Sequence, residues 1–382
     1  MAHKGMSRSL GDKEAVLVLE DGTVVAGVGF GATAKVSGEV VFNTGMVGYP
    51  EAVTDPSYKG QILIQTYPLI GNYGVYTEHF ESDGPKIEGY VVHELCRQPS
   101  HWASELTLDE WLERNGVPGI EAVDTRMLTK KIRVHGTMLG ILWVYEEGDA
   151  PDLEELRLEA KQIPDPNRRD LVSEVTTTRV RRFDVGGGSD VVLVDCGVKM
   201  SIVRELTKRG LNVVMVPHKT SAREILRMNP AGVVLSNGPG DPKMCKDTIK
   251  AARELIEERV PVMGVCLGNQ ILALALGGDT QKMKFGHRGQ NHPCIDVETG
   301  RCFITSQNHG FVVEGDSAKE AGLRITLINA NDKTVEGIAH KTQPIFGIQF
   351  HPEASPGPND TNFLFDRFLR LLKKRGGRGS HA

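Results

Sequence analysis

The chain has 382 residues, 40% apolar and 25% charged, with a formal net charge of −4. That length can bury two hydrophobic cores, and the near-neutral balance argues against nucleic acid or a membrane surface as the main partner. Six scattered cysteines without a Cys-x-x-Cys pair argue against a disulfide scaffold and a standard structural zinc site. Neither a signal peptide nor an apolar run of membrane-spanning length is present, so the expectation is a reduced, cytoplasmic protein.

In chain order, Ala15 to Leu19 reads as a strand, Asp21-Gly22 as a hairpin turn and Thr23 to Gly27 as the returning strand. Further strand-like runs are Gly38 to Thr44, Ile62 to Tyr67, Gly89 to His93 and Met138 to Tyr145. Helices are expected at Thr107 to Asn115 and at Asp124 to Val134, with Asp124 as N-cap. This part, 10–146, is a strand-rich α+β domain whose topology the pattern does not define.

From 147 to 189 the composition shifts. An acidic, helix-forming piece (Asp152 to Gln162) leads into a Pro-, Arg- and Thr-rich stretch ending in Gly186-Gly187-Gly188, which reads as a linker. The tails Met1 to Ser9 and Gly376 to Ala382 are set aside.

The stretch 190–376 is regular. Strands at Val191 to Asp195, Val213 to Val216 and Gly232 to Ser236 alternate with helices at Lys199 to Arg209, Ala222 to Met228 and a long one ending near Arg259. Apolar strands alternating with amphipathic helices predict a doubly wound, mostly parallel α/β sheet, whose site lies off the carboxyl ends of the strands.

One stretch of this half carries chemistry. Pro261-Val262-Met263 leads as a strand into Gly264-Val265-Cys266-Leu267-Gly268-Asn269-Gln270, and an Ala- and Leu-rich helix follows. A cysteine on a strand-to-helix turn, with glycine two positions before and after, matches a nucleophile elbow bearing sulfur. The helix N-terminus behind it supplies free N–H groups and a positive dipole end that favour an anionic sulfur. A core cysteine closing a strand is the plainer alternative, and the paired glycines weigh against it.

A thiol nucleophile needs a base, and the base needs an orienting group. The strand Pro344 to Phe350 ends in His351-Pro352-Glu353, which offers both; a surface loop is the alternative for this tripeptide alone. The loop Asn237-Gly238-Pro239-Gly240-Asp241-Pro242 lacks the phosphate-loop pattern. It reads as a source of backbone N–H groups for an oxyanion, together with Leu267, or else as a simple turn. For Ser306 to Phe311 a pocket wall is preferred, and for Gly286 to His292 a loop. His287, His292 and His309 have no standard metal spacing, so no metal is expected.

Together these residues resemble the class I, triad-type glutamine amidotransferases. More narrowly, 15–373 resembles the small-subunit family of the carbamoyl-phosphate synthetases. Gly38 to Thr44, Thr54-Asp55-Pro56-Ser57-Tyr58, Tyr67 to Asn72, Lys282 to Pro293 and His351 to Pro358 carry the narrower likeness.

The resemblance implies Cys266 as nucleophile, His351 as base and then acid, and Glu353 as its orienting partner. It implies glutamine contacts from Ser57, Gly238, Gly240, Leu267, Gln270, Asn308, Gly310 and Phe311, with Ser57 bringing the first domain to the site. It implies a heterodimer, or a higher oligomer, with a large subunit that binds ATP and Mg and makes carbamoyl phosphate for pyrimidine and arginine biosynthesis. No cofactor is expected on this chain. The family usually has His where this chain has Asn269, which hydrogen-bonds but carries no proton. The alternatives are another amidotransferase or free glutaminase on the same fold, and a non-catalytic regulatory subunit.

Overall fold

The computed structural model describes residues 13–146 and 148–376. The N-terminal tail set aside above lies outside these residues, as does the C-terminal one beyond Gly376. By its contacts the chain forms two units, and they interleave in sequence. The first comprises the chain through Tyr49, Gly60–Glu78 and Ile87–Asp165. The second comprises Pro50–Lys59, His79–Lys86 and everything from Pro166 onward.

In the first unit the barrel strands are β1 (Glu14–Leu19), β2 (Val24–Gly31), β3 (Lys35–Asn43), β4 (Gln61–Gln65), β5 (Gly89–Val91), β6 (Pro118–Glu121) and β7 (Met138–Tyr145), beside a two-stranded pair formed by Leu69–Ile70 and Glu94–Leu95. The barrel closes in the order β1-β2-β6-β5-β4-β3-β7, which leaves it no open sheet edge. The β1–β2 hairpin turns where expected, with Gly22 at φ +87°, a left-handed conformation that suits glycine. The helix Leu108–Arg114 starts in a capping box between Thr107 and Glu110, and Asp124 caps Thr125–His135 by accepting from the Met127 N–H at 2.8 Å. Part of the stretch 147–189 packs on this unit: the helix Leu153–Ala160 buries Leu156 and Ala160 against Val16, Val18 and Ile141.

The second unit is built on a ten-stranded sheet. Its strands are β8 (Arg181–Phe183), β9 (Ser189–Asp195), β10 (Leu211–Pro217), β11 (Gly232–Leu235), β12 (Val262–Val265), β13 (Thr280–Asp296), β14 (Cys302–Val313), β15 (Leu323–Asn329), β16 (Val335–His340) and β17 (Ile345–Ile348). The spatial order is β8-β10-β9-β11-β12-β17-β16-β15-β13-β14. The inner strands β10, β9, β11, β12 and β17 run parallel, and the strands beyond β17 run antiparallel.

Strand alternation splits the core into two layers. Val192, Val194, Val233 and Leu235 pack with the helices Ala222–Arg227, Lys246–Glu257 and Leu267–Ala275. Val191, Leu193, Val234 and Met263 pack on the other face with Met200–Lys208 and Phe363–Gly376. Helices on both faces of a parallel core make the unit doubly wound, as the βαβ pattern predicts.

One segment departs from its sequence reading. Gly286 to His292, expected as a loop, lies within β13 and pairs with β14. Register shifts between Lys282 and His287 and between Gly289 and His292 break the alternation that would have marked it as a strand.

Candidate active site

The parallel pairing of β12 with β17 sets Val265 beside Ile348, so Cys266 and His351 leave the same sheet edge from neighbouring strands. Cys266 sits at φ +53° and ψ −105°, a conformation that costs a non-glycine residue about 1–3 kcal/mol. Its backbone N–H is tied to Ile348 O at 2.8 Å.

The flanking glycines are required by space. A Cβ on Gly264 would lie 2.4 Å from Gly268 O, and one on Gly268 would lie 2.1 Å from Leu235 O. Gly268→Ala therefore has to push the helix Leu267–Ala275 off β11. A loss of about 1–3 kcal/mol is expected, by the usual cost of overpacking, and thermal unfolding measures it.

Cys266, His351 and Glu353 are all buried. The His351 Nδ1 bonds Glu353 Oε1 at 2.6 Å, while Nε2 has no hydrogen-bond partner among the described residues. Burial alone would strip the proton from this imidazole. The negative charge of Glu353 outweighs burial, and the neighbouring Cys266 thiol adds to its effect, so His351 holds its proton more tightly than a free histidine. Burial would likewise protonate Glu353, but the charges of Lys199 and His351 keep it ionised.

Lys199 is the residue that sequence reading missed. Buried at the carboxyl end of β9, it donates through Nζ to Glu353 Oε1 at 3.1 Å and to Ala354 O at 2.8 Å. Its one sequence signal is a cation just past a strand on the edge where the site was expected. Two buried carboxylates were also missed. Asp55 accepts from the Ser57 N–H at 2.9 Å and from Asn308 Nδ2 at 2.8 Å. Glu81 accepts from Ser201 Oγ, Arg204 and Ser355 Oγ, each at 2.6 Å. Both lie in segments of the first half of the sequence that belong to the second unit.

Hydrogen bonds and close approaches link several of the residues expected to contact glutamine to one another. Ser57 Oγ accepts from Asn237 Nδ2 at 2.9 Å, and Asp55 joins Ser57 to Asn308. Gln270 Nε2 donates to Phe311 O at 2.7 Å. A Cβ on Gly238 would meet Cys196 O at 2.0 Å and Leu267 Cδ2 at 2.8 Å, so Gly238 lies against Leu267. Gly240 takes φ +81°, and Gly310 lies in β14 between Asn308 and Phe311. Leu267 opens its helix, where a backbone N–H has no intrahelical acceptor. Asn269 is fully buried: its Nδ2 donates to Gln349 Oε1 at 3.2 Å, and a Cβ on Gly347 would meet its Oδ1 at 2.3 Å.

His287, His309 and Glu336 place potential ligand atoms within 4.8 Å of one another. Hydrogen bonds already account for most of these groups. His287 Nε2 bonds Asp332 at 2.8 Å, and His309 bonds Phe311 O and Gln307 Oε1, each at 2.9 Å. Burial disfavours a proton on His287, but the bond to Asp332 and the nearby Glu336 outweigh it and raise the imidazole to about 9.

That pairing has a consequence for stability. With an unfolded value of about 6.5, the imidazolium's contribution is complete below that pH and is lost as pH rises through 9. Urea unfolding at about pH 6 and about pH 10 should differ by roughly 3 kcal/mol on this account, and His287→Gln should remove most of the difference.

Comparisons with known proteins agree with this two-part architecture. A family model described as Glutamine amidotransferase class-I matches residues 192–371, and one described as Carbamoyl-phosphate synthase small chain, CPSase domain, matches 17–142. The carbamoyl phosphate synthase small chain of Methanopyrus kandleri is 53% identical over 360 residues, 94% of this chain and 99% of that one. That of Archaeoglobus fulgidus is 54% identical over 361 residues, with the same coverage of 94% and 99%. That of Oceanobacillus iheyensis is 50% identical over 370 residues, 96% of this chain and 99% of its own.

Proposed function

Because the chain belongs to the carbamoyl phosphate synthase small-chain family, we propose that it hydrolyses glutamine through Cys266, His351 and Glu353 and passes the ammonia to a large, ATP-dependent chain. The observation that carries this reading is the pairing of a strained, buried Cys266 with the His351–Glu353 couple on the adjoining parallel strand.

In the proposed reaction the thiol proton resides on His351, where Glu353 holds it, and the sulfur is left as the thiolate. The sulfur attacks the side-chain amide carbon of glutamine, and the carbonyl π electrons move onto oxygen, which the N–H groups of Gly238 and Leu267 stabilise. As the tetrahedral intermediate collapses, the C–N bond breaks and His351 delivers its proton to the departing nitrogen. The products are ammonia and a glutamyl thioester. Water, deprotonated by the same imidazole, then attacks the thioester, releases glutamate and restores the thiol. Ser57, Gly240, Gln270, Asn308, Gly310 and Phe311 hold the amino-acid end of the substrate. The large chain, in a heterodimer or a higher assembly of such pairs, supplies the site for ATP, Mg and bicarbonate.

The test is glutamate release from glutamine, by this chain alone and with its large chain plus ATP and bicarbonate. Weak activity alone that rises strongly in the complex is the expected result. High activity that no partner changes would make the protein a free glutaminase and end the proposal.

A further inference from the structure

Gln349 is fully buried at the carboxyl end of β17, two residues before His351. Its Oε1 accepts from Asn269 Nδ2 and from Gln270 Nε2, each at 3.2 Å, and its Nε2 lies 3.8 Å from Cys266 Sγ. The two ends of a carboxamide have nearly the same shape, so the direction of this contact needs an external reference. The Phe311 carbonyl supplies it. A backbone carbonyl only accepts, so Gln270, 2.7 Å away, must turn its NH₂ toward Phe311. The second hydrogen of that NH₂ then requires an acceptor on Gln349. Oε1 therefore faces Gln270, and Nε2 is left facing the sulfur.

We infer that Gln349 is a positioning residue for the nucleophile, an N–H donor to Cys266 Sγ whose direction is set by Gln270 and Asn269. The inference rests on the proposed role of Cys266 as the glutaminase nucleophile. As a thiol, Cys266 donates to Asn308 O at 3.6 Å. Once the proton has left, that carbonyl faces an anion and the contact turns repulsive, whereas the Gln349 N–H bond becomes charge-assisted and stronger. Gln349 thus favours the ionised sulfur and directs it away from Asn308. Asn269, the departure from the family's usual residue, belongs to this support: its Nδ2 is the second donor holding Oε1.

The experiment is the pH dependence of Cys266 alkylation by iodoacetamide in the full chain, with a glutamine-analogue alkylator as reference. Gln349→Leu removes the donor at similar volume. It should raise the midpoint by about one pH unit and slow alkylation at neutral pH about tenfold. Gln349→Glu keeps the shape and places an oxygen against the sulfur, so it should raise the midpoint further. Asn269→Ala, which removes one of the two donors on Oε1, should give a smaller rise. Should Gln349→Leu unfold, Gln349→Glu decides alone. Unmoved midpoints in folded variants whose wild type is labelled by the glutamine analogue would overturn the inference and leave the reading of the site standing. Failure of the analogue to label wild-type Cys266 would overturn both.

Discussion

Cys266→Ser is expected to lower glutamine hydrolysis at least about a thousandfold while leaving carbamoyl phosphate synthesis from free ammonia by the two-chain complex in place. Serine is near-isosteric and accepts the same backbone, so the turn held by Cys266 N–H to Ile348 O should survive. What changes is the acid: a hydroxyl gives up its proton far less readily than a thiol, and a histidine poised for sulfur does not make up the difference. The remaining oxyanion donors bind the amide but have no attacking anion to act on. Glutamate release and ammonia-dependent synthesis, measured on one preparation of the complex, separate the two activities. Equal loss of both would mean that the substitution breaks the assembly, and the division of labour between the chains would fall.

The candidate centre was legible because its determinants are local. Gly264, Cys266 and Gly268 lie within five residues, and each glycine answers a backbone approach inside one strand-turn-helix unit. His351 and Glu353 stand two residues apart, and their hydrogen bond needs no long-range partner to be anticipated. The parallel strands β9, β10, β11, β12 and β17 and the helices between β9 and β12 followed from the same short-range periodicity, whereas β13 to β16, with their register shifts, did not.

What escaped depends on residues far apart in sequence. Asp55 and Glu81 reach Asn308 and Ser201 across more than a hundred residues, and no periodicity in either segment announces that it folds with the second unit. Barrel closure in the first unit rests on β2 meeting β6 and β3 meeting β7, which no local pattern encodes. Asn269 shows the same limit. Its chemistry could be named from the sequence, but its partner is Gln349, eighty residues away.

Lys199 is the clearest case of a missed anchor, and its removal should be costly. Its ammonium and the His351 ring donate to the same oxygen of Glu353, so a buried carboxylate is held by two cations. Burial would lower the proton affinity of Lys199, but Glu353, Glu81 and Asp55 outweigh it and keep the ammonium charged. Lys199→Met preserves the side-chain bulk, removes the charge and leaves Glu353 buried with His351 as its remaining cationic partner. Breaking a buried pair in this way costs about 3–5 kcal/mol, because the surviving charge has been desolvated without compensation. Chemical denaturation should register that loss. The pH dependence should change with it. The Glu353 proton affinity is depressed in the folded chain, so its contribution is present above the unfolded carboxylate value of about 4.3 and is lost as pH falls toward the folded one. Without Lys199 the folded value rises, so the stability lost by wild type on acidification should already be missing from the variant near pH 7. A variant as stable as wild type, with the same acid limb, would mean that Lys199 is not what keeps Glu353 ionised and that His351 alone supplies the counter-charge.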